Sequence, residues 1–179
     1  DEALLDSGRK DVAKSLKLNE SDPLANQIQA WYHEYDGNLV EARVFIDKAI
    51  KSDPSEAYYY VDRGNFRRYS DDRYGALEDF SKAIELQPRY SNAYNYRGII
   101  RDWTKQSPEG IISDYNMAIE INPEIPVYYD NYIWALVRLK AGYKTTFEDA
   151  ILLADKAIAL DPLNPSYHLS RGYLLTWLD

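Results

Sequence analysis

Cysteine is absent from the chain's 179 residues, methionine occurs once and histidine twice. The missing cysteine excludes disulfides and thiolate metal sites, without fixing the compartment. His33 and His168 have no second His or Cys at ligand spacing, which argues against a metal centre or a catalytic triad. No glycine-rich phosphate loop is present. Uninterrupted apolar runs fall well short of the ~20 residues of a membrane span. Positive charge is in deficit: 21 Lys and Arg stand against 29 Asp and Glu, for a net charge of −8. Such a surface repels phosphate backbones, so nucleic acid is not an expected partner. The chain has neither an initiator Met nor a signal-like start and opens inside a helical pattern, as expected of a piece of a longer protein. What it does have is apolar mass. Hydrophobic residues make up 45%, with four Trp and 17 Tyr, enough for a folded core.

The eight prolines are few, and several recur in one context. Asp47-Lys48-Ala49-Ile50-Lys51-Ser52-Asp53-Pro54 is followed by Ser81-Lys82-Ala83-Ile84-Glu85-Leu86-Gln87-Pro88. Asn116 to Pro123 and Asp155 to Pro162 continue the series. The prolines are spaced 34, 35 and 39 residues apart, as are Ala49, Ala83, Ala118 and Ala157. A second column, Ala30, Gly64, Gly98, Ile133 and Gly172, keeps the same register, insertions included. Each period reads as two helices. First helices are expected over 24–35, 57–69, 91–104, 126–140 and 165–178, and second helices over 39–51, 73–86, 108–120 and 146–160. Ala76, Phe80, Ala83 and Ile84 recur at i, i+4, i+7 and i+8, one apolar helix face. Proline just past each second helix stops it, Ser107-Pro108 is an N-cap, and Thr145-x-x-Glu148 reads as a capping box.

This pattern resembles the tetratricopeptide repeat family across essentially the whole chain. The unit 57–90 carries it most completely, in Tyr60, Gly64, Ala76, Phe80, Ala83 and Pro88. Units 23–56, 91–125 and 126–164 follow, with a second-helix half unit over 1–22 and a first-helix half unit over 165–179. Ile133 departs from the glycine column, and Asn26 and His168 from the early aromatic column of Tyr60, Tyr94 and Tyr129. The extra residues of unit 126–164 are expected in the turn at Ala141-Gly142-Tyr143-Lys144. The resemblance implies an all-α right-handed solenoid of antiparallel hairpins, non-enzymatic and without cofactor or metal. In it, first helices line a concave groove that takes a protein or peptide segment.

First-helix positions facing away from the glycine column are the candidate groove residues. They are Trp31, Tyr35, Tyr58, Asn65, Arg68, Tyr69, Asn92, Asn95, Trp103, Asp130, Trp134, Arg138 and Tyr173, with Gln27, Glu34, Asp102, Leu169 and Trp177 beside them. All four Trp fall on this face, and aromatics with Arg and Asn are what peptide-binding hot spots favour. The same aromatics could instead pack between neighbouring first helices and never meet a ligand. Some family members grip a partner's C-terminal carboxylates with Lys, Asn and Arg spread over three first helices. At the matching positions only isolated Asn remain, among them Asn65 and Asn131, so that clamp is not expected here. Arg63, Arg67, Arg97 and Arg101 could form a basic ridge. The favoured reading pairs them with second-helix acids such as Glu78, Asp79 or Asp114. Two other functions stay open: a structural module self-associating weakly through its exposed ends, and a regulatory repeat domain of a larger protein.

Overall fold

Proline placement explains where the second helices stop. Asp53, Gln87 and Asn122 each precede a proline and take φ of −138°, −134° and −142°. The following ring clashes with a helical residue before it and pushes it to extended backbone. Each still donates its N–H to the alanine carbonyl four residues back, at Ala49, Ala83 and Ala118. Starts are equally local. The side chains of Asp22, Asp72 and Ser107 each accept the backbone N–H three residues on, caps worth about 1 kcal/mol apiece. The expected cap at Ser107 is one of them. Between first and second helices, Gly37, Asp71 and Lys105 stand 34 residues apart and share positive φ, at 76°, 62° and 53°. Glycine adopts that backbone freely, whereas Asp71 and Lys105 hold it at a cost of about 1 kcal/mol.

The computed structural model describes residues 2–139 and 147–176. These contain ten helices and no strand: α1 (Glu2–Leu18), α2 (Pro23–Tyr35), α3 (Leu39–Ser52), α4 (Ala57–Tyr69), α5 (Arg73–Leu86), α6 (Ser91–Trp103), α7 (Pro108–Ile121), α8 (Pro126–Leu139), α9 (Phe147–Leu160) and α10 (Pro165–Leu175). They lie where the repeat places them, with ends shifted by three residues or fewer. The turn expected at Ala141 to Lys144, the cap at Thr145 and Trp177 fall outside the described residues. The chain divides into two units, Asp1–Pro88 and Arg89–Asp179. In the first, α1 packs on α2, α2 on α3, α3 on α4 and α4 on α5. In the second the same succession runs from α6 to α10, and α8 also touches α6 and α10, first helix to first helix. Short connections make each first and second helix an antiparallel pair.

Opposed residues of inverse size set the spacing within each pair. A Cβ on Gly64 would stand 2.7 Å from Cε1 of Phe80, and one on Gly98 would stand 3.2 Å from Cζ of Tyr115. In α8, Ile133 replaces the glycine, and Ala154 takes the ring's place on α9; the two share one buried cluster. Ala30 and Ile46 do the same between α2 and α3. Volume is conserved while each member changes, as close packing requires. The departure at Ile133 is therefore compensated across the hairpin.

The arginines are used inside the hairpins. Arg63 and Arg67 converge on Asp79, which is 2% exposed, at 2.6 and 3.0 Å. Arg97 and Arg101 hold Asp114 in the same way, at 2.7 and 2.9 Å. Ion pairing with Asp79 and Asp114 is thus the reading realised, in place of a basic ridge. At the equivalent places in α8 and α9 stand Tyr132, Leu136 and Leu153, which pack in one apolar cluster. In α2 and α3 they are Gln29, His33 and Phe45, with the His33 ring stacked on Phe45 at 5.1 Å. The three positions change character together. A single charged member left among apolar neighbours would be a buried charge without its counter-charge.

Candidate peptide-binding face

Four first helices, α2, α4, α8 and α10, are pinned to the turn before them by one repeated hydrogen bond. The Tyr60 hydroxyl donates to the carbonyl of Pro54 and the Tyr129 hydroxyl to that of Pro123, both at 3.0 Å. Asn26 Nδ2 donates to the Glu20 carbonyl at 2.9 Å, and His168 Nε2 lies 2.9 Å from the Pro162 carbonyl. All four reach six residues back. Asn26 and His168 break the aromatic pattern but supply the same donor, which assigns the His168 proton to Nε2. Tyr60, Tyr115 and Tyr129 are buried. Tyr94 is only half-buried, with the Arg97 guanidinium 5.5 Å from its ring centre.

With the helices fixed, the candidate residues can be placed unit by unit. In Asp1–Pro88, Trp31 is 44% exposed and donates its indole N–H to Asp62 Oδ2 at 2.9 Å. Gln27, itself buried, donates to the same oxygen at 2.6 Å. One carboxylate oxygen thus ties α2 to α4. Burial pushes the Asp62 carboxyl up to about 6, against the two donors, with Glu34 raising it further. Glu34 is itself raised by burial and lowered by Arg68. Asn65, one turn beyond Asp62, is half-buried, and its Oδ1 is fully covered without a hydrogen-bond partner. Arg68 lies over the Tyr69 ring at 4.5 Å and donates to its hydroxyl. Tyr35, Tyr58 and Tyr69 are exposed.

In Arg89–Asp179 the first helices are joined by polar rungs one repeat apart. Asn131 Nδ2 donates to Asn95 Oδ1 at 3.0 Å, and Tyr128 donates to Asn92 Oδ1. Arg138 Nε donates to Asp102 Oδ2 at 2.7 Å, and Ser170 Oγ to Asp130 Oδ1. Burial raises the Asp130 carboxyl, opposed by the Ser170 bond. Trp134 is half-buried, its rings 5.4 Å from Tyr173. Trp103 and Arg138 are exposed, whereas Asn95 is 2% exposed and spends its amide oxygen on its neighbour. Asp62, Asn131 and Ser170 lie outside the candidate groove set, although all three occupy one column, two residues before Gly64, Ile133 and Gly172. What changes along that column, with Ile28 and Tyr96 at its other positions, is the residue type. The usable signal was polar pairs spaced one repeat plus one or two residues, as in Gln27 with Asp62 and Asn95 with Asn131.

Among the described residues no cluster of three His, Asp or Glu side chains is placed to hold a metal ion, and no helix is long and apolar enough to cross a membrane. What the face offers is exposed indole and phenol rings, amide groups, and carboxylates set between first helices.

No family model matches the sequence, and no curated protein does. Solved structures do match. The chain is similar to YrrB, described as a TPR protein with an unusual peptide-binding site, at 19% identity and a TM-score of 0.72 over 93% of this chain and 82% of that one. It is similar to the first TPR of Spaghetti (RPAP3), solved with the HSP90 peptide SRMEEVD, at 21% identity and a TM-score of 0.63, over 66% of this chain and 94% of that one. In the APC/C hetero-tetramer Cut9–Hcn1 the match has a TM-score of 0.82 at 13% identity, covering 97% of this chain and 34% of the other. At such identities what is held in common is the architecture. The chain has the tetratricopeptide-repeat fold.

Proposed function

We propose that the chain is a non-enzymatic interaction scaffold that holds a peptide or protein segment against its first helices. The observation that carries this reading is the state of α2 and α4. Trp31, Tyr35, Tyr58 and Tyr69 leave large ring surfaces in water on helices whose opposite faces are fully packed. Exposed rigid rings suit a bound segment whose side chains fill the space between them. That YrrB is described with a peptide-binding site, and that the Spaghetti domain holds an HSP90 peptide, is consistent with this use of the fold. The partner here differs in kind from a C-terminal dicarboxylate, since the cations of that grip are missing.

The test is selection of a random nonapeptide library on the immobilised chain, repeated on Trp31→Ala. Selected peptides should bind the wild type about tenfold or more tightly than the variant, as expected of a hot-spot aromatic. Thermal unfolding should fall only modestly, since Trp31 is nearly half exposed and gives up one hydrogen bond, to Asp62, of about 1–2 kcal/mol. Equal selection by both proteins would remove Trp31 from the site, and a large loss of stability would make it a packing residue.

A further inference from the structure

Charge matching sets two carboxylates apart from the others. Asp79 and Asp114 each receive two guanidinium groups, and Asp102 receives Arg138. Asp62 is sequestered between α2 and α4, yet its donors are a neutral amide and a neutral indole, both on Oδ2. Among the described residues no Lys or Arg stands within ion-pairing distance of it, and Oδ1 accepts no bond. Asp130, in the other unit, accepts the Ser170 hydroxyl and, among the described residues, pairs with no cation. The inner-face cations are otherwise engaged, Arg138 by Asp102 and Arg68 over Tyr69. A fold that supplies paired arginines to the carboxylates inside its hairpins leaves these two, on the first-helix faces, without any. A sequestered carboxylate short of a counter-charge is unfavourable until a cation arrives.

We propose that the α2–α4 face recognises a basic segment, taking a lysine or arginine side chain onto the bare Oδ1 of Asp62 with the Trp31 indole as its wall. The proposal rests on the peptide-binding reading above and names the partner's chemistry. Trp31 suits the role because its N–H is already held by Oδ2, which fixes the ring beside the carboxylate while leaving much of it exposed. Indole faces attract ammonium and guanidinium groups. The net charge of −8 favours encounter with a basic chain. Arg68 and Glu34 are the charged groups that share this face, and Glu34 also titrates, with a raised pKa.

The experiment compares peptides selected from the same nonapeptide library by wild type, Asp62→Asn, Trp31→Ala and Glu41→Gln, the last an exposed second-helix control. Wild type and Glu41→Gln should enrich Lys- and Arg-containing peptides, and Asp62→Asn should bind those peptides about tenfold more weakly, the loss of one charge-assisted contact. A readout without substitution runs beside it. Wild-type affinity for a selected peptide should rise about tenfold between pH 5 and pH 7.5, as a carboxyl titrating near 6 ionises. Enrichment of acidic or neutral peptides overturns the cation assignment while leaving peptide binding in place. So does Lys and Arg enrichment that survives Asp62→Asn, or affinity independent of pH. If no selected peptide depends on Trp31, the underlying reading fails and this proposal fails with it.

Discussion

The Arg–Asp clasp of α6 and α7 allows a stability argument to be worked from the molecule's own alternatives. Asp114 is 1% exposed and holds Arg97 and Arg101 at 2.7 and 2.9 Å. Asp114→Leu leaves two guanidinium groups facing each other and an apolar side chain across a dry contact. Breaking a buried ion pair from one side removes about 3–5 kcal/mol. For a chain of this size that corresponds to roughly 6–20 °C in unfolding temperature. Installing the remaining members of the α8–α9 triad should undo the damage. Arg97→Tyr and Arg101→Leu added to Asp114→Leu reproduce Tyr132, Leu136 and Leu153, which already pack together in this chain. Apolar replacement of a whole buried ionic triad is often neutral or stabilising by about 1–4 kcal/mol, so the triple variant should unfold near wild type or above it. Urea unfolding by circular dichroism, fitted with a nearest-neighbour repeat model, reads both numbers. A single variant within 1 kcal/mol of wild type would show that the clasp is not effectively buried. A triple variant no better than the single would refute the equivalence of the two triads.

Other expectations follow from geometry. Gly64→Ala should lose about 1–3 kcal/mol, since the new methyl meets Phe80 at 2.7 Å. Gly172→Ala, with nothing within 4 Å, should gain up to about 1 kcal/mol from helix propensity, and urea midpoints compare the two. Lys105→Gly should stabilise by about 1 kcal/mol by relieving φ of +53°; a loss would mean that the lysine side chain matters more than its backbone. Asp62 gives a pH signature. Its folded value near 6 lies above the ordinary 3.8, so the folded state binds the proton more tightly. Its stabilising contribution is complete below about pH 4 and is lost as pH rises through 6. Asp62→Asn should therefore match wild type at pH 4 and exceed it at pH 8 by up to about 3 kcal/mol, at 1.36 kcal/mol per unit. Equal pH profiles would place that carboxylate in water.

The sequence alone determined the helices and their pairing. Proline after Asp53, Gln87 and Asn122, caps such as Ser107, and the Ala and Gly columns act within a few residues or within one hairpin, so they recur in register and can be read by eye. It also narrowed the arginines' partners to second-helix acids, with Glu78, Asp79 and Asp114 all open, and the fold chose Asp79 and Asp114. Tertiary structure alone decided the compensations and the site. That Ile133 is matched by Ala154, or that His168 and Asn26 replace a tyrosine hydroxyl, depends on shape and donor geometry rather than residue class. That Asp62 gathers Gln27 and Trp31, and that Asn95 is withdrawn from the face to hold Asn131, depends on how neighbouring first helices approach. Those contacts join residues more than thirty positions apart, and although Gln27–Asp62, Asn95–Asn131 and Asp130–Ser170 fall on the same two columns, the residue types change from one unit to the next. Periodicity reports what every repeat must share to stack; binding chemistry lies in what each repeat does differently, and only packed side chains show that.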